Sequence, residues 1–166
     1  VHEERDRHQT LRLHRNTIYF RILDFAACAM PTTKISKSHY ESLAAVRHEL
    51  RRFLNFSQVA ARKAGLTAQQ HQALLALKGF PGRDYASIAE LAECLQSKHH
   101  STVGLVDRLA LRQFLRRAPS ITDRRRVEVR LTARGEKVIE RLSTIHLQEL
   151  RQFGPALHRL VGSITE

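Results

Sequence analysis

The stretch Ser87–Thr132 predicts a mainly α-helical fold with a small β-wing: a winged helix-turn-helix carrying N- and C-terminal dimerisation helices. Three observations lead there. An apolar-periodic segment from Ser87 is followed by a turn at Gln96-Ser97 and a longer periodic segment to Leu111, the order of a helix-turn-helix. Two strand-like runs come next, Phe114–Arg117 and Val127–Leu131, the second alternating apolar and polar residues. Between them lies Ala118–Arg126, a loop that ends in three consecutive arginines, Arg124, Arg125 and Arg126.

The chain opens on a mixed-charge stretch. Residues 1–30 hold five arginines and four acids, so almost all of the net charge of +12 lies further on. Arg21 and Asp24 interrupt what would be the apolar core of a secretory signal. Met30 is the sole methionine, and residues 1–29 read as an upstream extension. Within it Thr17–Ala29 is either a short helix or disordered. Together with the polar linker from Pro31 this extension covers residues 1–37.

From Ser38 to Lys63 the residues Leu43, Val46, Leu50, Phe53, Leu54, Ser57 and Ala60 recur at steps of three and four, which predicts one long amphipathic helix. A helix this long usually packs on more than its own domain, so it is a candidate subunit interface; a simple core helix is the alternative. Gly65 is a natural stop. Thr67 and Gln70 have capping-box spacing for the next helix, which ends at the breaker cluster Gly79-Phe80-Pro81-Gly82. A small strand is expected within Asp84–Ser87. Ser87 and Glu90 repeat the capping box, and Ser97 is expected to cap the helix from Lys98 to Leu111, with Val103, Val106 and Leu109 as its buried stripe. Thr132 caps a further helix to Phe153. Gly154-Pro155 is expected to break it before a last helix over 156–164. The segments 38–66 and 136–166 thus form an expected dimerisation region around a winged helix-turn-helix domain at 67–135.

The charge is not spread evenly. Gln96–Arg134 holds ten Lys/Arg and three Asp/Glu, a net of +7 in under a quarter of the chain. A localised excess of this kind suits a polyanion. At the start of the predicted recognition helix stand Lys98, His99, His100, Ser101 and Thr102, with Arg108 further along. Short polar and cationic side chains at a helix N-terminus can meet phosphates and donate to base edges; the plain alternative is a solvated first turn. Three adjacent arginines at a hairpin tip repel one another unless phosphates or a narrow minor groove offset the repulsion. Asp123 can pair with one of them and fix its direction.

Taken together, Leu66-Thr67-(x)2-Gln70, Ser87–Ala92, Val103-(x)2-Val106-Asp107-Arg108-Leu109, Arg117, Asp123-Arg124-Arg125 and Leu131-Thr132-(x)2-Gly135 resemble, in order and spacing, the MarR family of bacterial transcriptional regulators. The resemblance covers about residues 38–164. It implies a homodimer whose recognition helices enter successive major grooves of a palindromic duplex while the wings reach the flanking minor grooves. On that likeness Ser97, Lys98, His99, His100, Ser101 and Thr102 read bases or phosphates, and Arg108, Arg116 and Arg117 contact phosphates. Arg124 and Arg125 belong to the wing motif, with Asp123 as orienting partner and Arg126 as an extra cation. One departure is Gln113, where the family usually has glycine after the recognition helix. Many relatives bind small aromatic or phenolic anions between the dimer helices and the DNA-binding lobe. Here Arg52, Phe53, Phe56 and His71 would line that cleft, although Phe53 and Phe56 read more simply as core residues.

Other classes of function find little support. No metal-ligating, nucleophile-elbow or phosphate-cradling motif is present, so neither an enzyme nor a cofactor is expected. His99 and His100 are adjacent and point to different faces of a helix. Cys28 and Cys94 make no disulfide framework, and Cys94 reads as a small apolar filler rather than a redox sensor. No apolar run is long enough to cross a membrane. A cytoplasmic, nucleoid-associated regulator is therefore expected. The competing reading is a winged-helix module that binds protein or RNA without operator specificity. RNA readers usually present exposed aromatics for stacking, and this basic stretch offers only Phe114.

Overall fold

The computed structural model describes residues 34–120 and 127–165, with side chains to 162. The expected helix of the extension, Cys28 and the hairpin tip over 121–126 lie outside the described residues. Helix α1 spans Lys37–Lys63, α2 Ala68–Lys78, strand β1 Tyr85–Ala86, α3 Ile88–Cys94, α4 His99–Leu111, β2 Leu115–Pro119, β3 Val127–Leu131, and α5 Ala133–Thr165. The antiparallel sheet has the order β1-β3-β2, and β2 pairs with β3 from Leu115↔Leu131 to Pro119↔Val127.

Both predicted capping boxes are formed. The Thr67 hydroxyl accepts from the Gln70 amide at 3.2 Å, and Gln70 Oε1 accepts from the Thr67 amide at 3.0 Å. Ser87 and Glu90 do the same at the start of α3. Helix C-termini close with equal regularity. After α1 the Leu66 amide reaches the Ala61 carbonyl, after α3 Ser97 reaches Ala92, and after α4 Phe114 reaches Leu109. This is the six-to-one bond of a Schellman motif, which needs a left-handed residue just before it. Gly65 supplies it at φ +75°, but Gln96 and Gln113 adopt φ 48° and 60°. The helix before the wing therefore ends as a glycine would end it, with glutamine in the strained conformation.

Leu74, Leu77, Leu91, Val106, Leu109 and Val129 are fully buried and form the heart of the lobe built from α2, α3, α4 and the sheet. Gly135 closes the lobe against α5. A Cβ there would stand 1.9 Å from the Phe114 carbonyl oxygen, so only glycine admits this approach. The Thr132 hydroxyl accepts from the Gly135 amide and donates to the Gln113 carbonyl at 2.6 Å, tying the start of α5 to the end of α4.

Three local expectations are corrected. Helix α5 runs through Gly154-Pro155 to Thr165 without a break. Phe153, buried and stacked on Phe53 at 5.6 Å, holds the helix to α1 where local propensity would end it. Ser97 does not cap α4: the N-cap is Lys98, with no side-chain cap bond. The Ser97 hydroxyl instead meets the Thr102 hydroxyl at 2.7 Å. Strand β2 begins at Leu115, leaving Phe114 in the core.

Candidate nucleic-acid interface

Helix α4 presents two unlike faces. Leu105, Val106 and Leu109 are buried, whereas Lys98, His99, His100, Ser101 and Arg108 are exposed. The exposed set is the one expected to meet DNA, with one exception. Thr102, at 1% exposure, lies on the inward face, where its hydroxyl also donates to the Lys98 carbonyl at 3.3 Å. It shapes the helix start and is not a surface group, because the steps from 102 to 106 and 109 set it on the apolar stripe. Ser97 is half-buried through its bond to Thr102.

The wing is fastened to this helix by an ion pair. Arg117 on β2 holds Asp107 on α4 at 2.7 Å. Arg117 therefore spends its charge on an intramolecular partner, and Arg116 is the more available of the two cations expected on this strand. Arg116 is exposed, pairs in register with Arg130, and lines a small open cleft with Lys78 and Glu136. At the base of the sheet, Tyr85 of β1 lies under both Arg83 and Arg130, at 4.7 and 4.4 Å from its ring centre. Glu128 accepts from Arg130 at 2.8 Å, and hydrogen bonds from Ser120 and Arg130 hold its carboxyl below the usual carboxylate range. These contacts fix β3 and the root of the hairpin. Asp123, Arg124, Arg125 and Arg126 lie outside the described residues.

The second predicted group gathers round a residue that sequence reasoning missed. His146 on α5 is buried; its Nδ1 donates to the Leu142 carbonyl at 2.6 Å, and its Nε2 lies 2.9 Å from the Ser57 hydroxyl of α1. Phe53, Phe56 and His71 all surround its ring, with centroids 6.0, 5.5 and 4.7 Å away. His71 is 3% exposed, and its Nε2 has no hydrogen-bond partner among the described residues. Burial, and then the neighbouring His146, push the His71 pKa below its ordinary value. Arg52 stands at the edge, 5.9 Å from the Phe153 ring and 3.2 Å from Glu49. The signal for His146 was its spacing: Ile139, Leu142, His146 and Phe153 form one stripe.

A helix-turn-helix whose second helix exposes a cationic N-terminal end, pinned to an antiparallel β-wing, defines a winged helix-turn-helix. Its sequence pattern is more particular: residues 64–126 match the model of the MarR family. Solved structures agree in fold. AbsC, a MarR family transcriptional regulator from Streptomyces coelicolor, superposes with a TM-score of 0.62 at 18% identity over 74% of this chain and 82% of its own. A MepR variant from S. aureus bound to an oligodeoxyribonucleotide gives 0.58 at 18% identity over 79% and 99%. BpsR from Bordetella bronchiseptica, whose DNA binding is regulated by 6-hydroxynicotinic acid, gives 0.54 at 22% identity over 72% and 95%. No curated protein matches the sequence significantly. Among the described residues no helix is long and apolar enough to cross a membrane.

Proposed function

We propose that this chain is a sequence-specific, duplex-DNA-binding transcriptional repressor that acts as a homodimer on a palindromic operator. The observation that carries this reading is the Asp107–Arg117 pair, which ties the exposed face of α4 to the wing strand. Lys98, His99, His100 and Ser101 meet base edges and phosphates in the major groove. Arg108 and Arg116 add phosphate contacts, and the wing tip with Arg124, Arg125 and Arg126 reaches the minor groove, oriented by Asp123. The 67–135 region is the reading domain, and 38–66 with 136–166 pair two copies in the cytoplasm at the nucleoid.

The dimer is supported by the surface of the long helices. Tyr40, Leu43, Leu50 and Leu54 follow one stripe of α1 and are all exposed, as are Leu147 and Leu150 on α5. Rows of exposed leucines on paired helices call for a covering surface, and a second copy offers one of the same kind. Release by a small aromatic or phenolic anion at Phe53, Phe56, His71 and Arg52 extends the proposal. It is supported by His71 Nε2, a buried ring nitrogen with no hydrogen-bond partner among the described residues.

Competition binding tests the reading. The full chain is titrated against a selected duplex, a scrambled duplex, single-stranded RNA and heparin across a salt series. Preference for the selected duplex at every salt concentration is expected, with affinity falling steeply as salt rises. Equal affinity for the two duplexes, or a preference for RNA, would favour the alternative module without operator specificity.

A further inference from the structure

Arg112 is the C-cap residue of α4, and its side chain reaches back to the end of α1 and the start of α2. One guanidinium nitrogen donates to the Gly65 carbonyl at 2.8 Å, and the other donates to Gln70 Oε1 at 3.2 Å. Gly65 is the left-handed residue that ends α1, and Gln70 closes the capping box that starts α2. The same guanidinium lies 5.0 Å from the ring of Phe114, the residue that leads into the wing. A single side chain thus joins three helix ends and the root of the wing. Its partners are 42 and 47 residues away in sequence, so the contacts are tertiary and specific.

We infer that Arg112 is a positioning residue for DNA recognition, setting the angle of the recognition helix against the long helix α1 and contacting no nucleic acid itself. The inference rests on the DNA-binding reading and assigns this cation a different role from its neighbours Arg108 and Arg116. Two charge-assisted hydrogen bonds in a planar fork resist both rotation and sliding, which lysine with its compact ammonium cannot reproduce. Because α1 carries the surface proposed to pair two copies, the angle held by Arg112 also sets the separation of the two reading helices. A small change in angle at the end of α4 displaces its N-terminal residues most, and those are the residues proposed to read bases.

A positioning residue and a phosphate contact leave different signatures. Loss of a phosphate contact lowers the salt slope by about one and weakens all duplexes alike. Loss of the tie weakens the selected site and leaves the slope and non-specific binding unchanged. The full chain, Arg112→Met, Arg112→Lys and Arg116→Met are therefore titrated by fluorescence anisotropy against a duplex selected in vitro and a scrambled duplex over a salt series. Arg112→Met is expected to weaken the selected site roughly tenfold with an unchanged slope, and Arg112→Lys to fall between it and the parent. Arg116→Met is expected to lower the slope. Selected-site affinity within twofold of the parent for Arg112→Met, or a slope lowered by about one, overturns the inference. Hydrogen exchange on the free protein gives a readout independent of DNA: the Leu66 and Phe114 amides should exchange roughly tenfold faster in Arg112→Met. Unchanged protection overturns the tie even if the chain prefers no duplex, an outcome that would separately sink the DNA reading. If Arg112→Met does not fold, Arg112→Lys decides: parental selected-site affinity and protection overturn the inference.

Discussion

The lobe and the long helices solve the burial problem differently. In the lobe, α2, α3, α4 and the sheet enclose a continuous core, with Leu74, Leu91, Val106, Leu109 and Val129 all fully buried. Along α1 and α5 the buried residues are fewer, and leucines at 43, 50, 54, 147 and 150 remain exposed. The lobe covers its apolar residues within one copy, whereas the arms leave a stripe of leucines uncovered. Substitutions in the lobe should therefore act on folding, and substitutions on the exposed stripe of the arms should act on association.

The sharpest contrast comes from the largest effects. Leu109→Ala removes a fully buried side chain and is expected to cost about 3 kcal/mol in chemical denaturation. Gly135→Ala brings a Cβ against the Phe114 carbonyl, and a loss of similar size, about 2–3 kcal/mol, is expected with the wing root displaced. A fully stable Gly135→Ala protein would contradict the close approach of α5 to the Phe114 carbonyl.

Between lobe and arms sits the His71–His146 contact, and it predicts a pH dependence. His71 has a pKa lowered below 6.5, so the folded state prefers it neutral while the unfolded chain takes up a proton more readily. Its contribution is therefore fully present above pH about 6.5 and is lost as pH falls below that value. The melting temperature should decline between pH 7 and 5, and His71→Phe should make that decline shallower. An identical decline in both proteins would rule His71 out as its source.

Smaller effects separate the two regions further. Gln113→Gly relieves the left-handed strain at the end of α4 and should raise stability by about 1 kcal/mol. Leu50→Ala, on the exposed stripe of α1, should change the unfolding free energy of dilute, dissociated protein by less than about 0.5 kcal/mol. At higher concentration it should move the association equilibrium toward monomer in sedimentation. A loss in the dilute protein as large as that of Leu109→Ala would erase the distinction between lobe and arms.

What could be read from the sequence was local. Thr67 with Gln70 and Ser87 with Glu90 carry their structure in a span of four residues, and both caps form. The alternation of Val127–Leu131 likewise sufficed to locate a strand. What escaped depends on contacts distant in sequence. Pro155 continues a helix because Phe153 is held by Phe53, a hundred positions earlier. Thr102 and His146 were hidden by residue type, since a polar side chain on an apolar stripe is easily assigned to the surface; spacing would have placed both inside. Gln113 drew attention as a missing glycine, and it takes the glycine conformation regardless because the bonds from Phe114 to Leu109 and from Thr132 to Gln113 over-determine it.

The central claim is that two copies of the α4–wing surface read one duplex at a fixed separation. The direct measurement is affinity for duplexes in which the two halves of the selected site are moved apart by five and by ten base pairs. Recognition helices about one DNA turn apart, near ~34 Å, require both halves on the same side of the duplex. Five inserted base pairs should abolish the preference over scrambled DNA. Affinity that does not change with the five-base-pair insertion would show that the halves are read independently, and would contradict the paired arrangement.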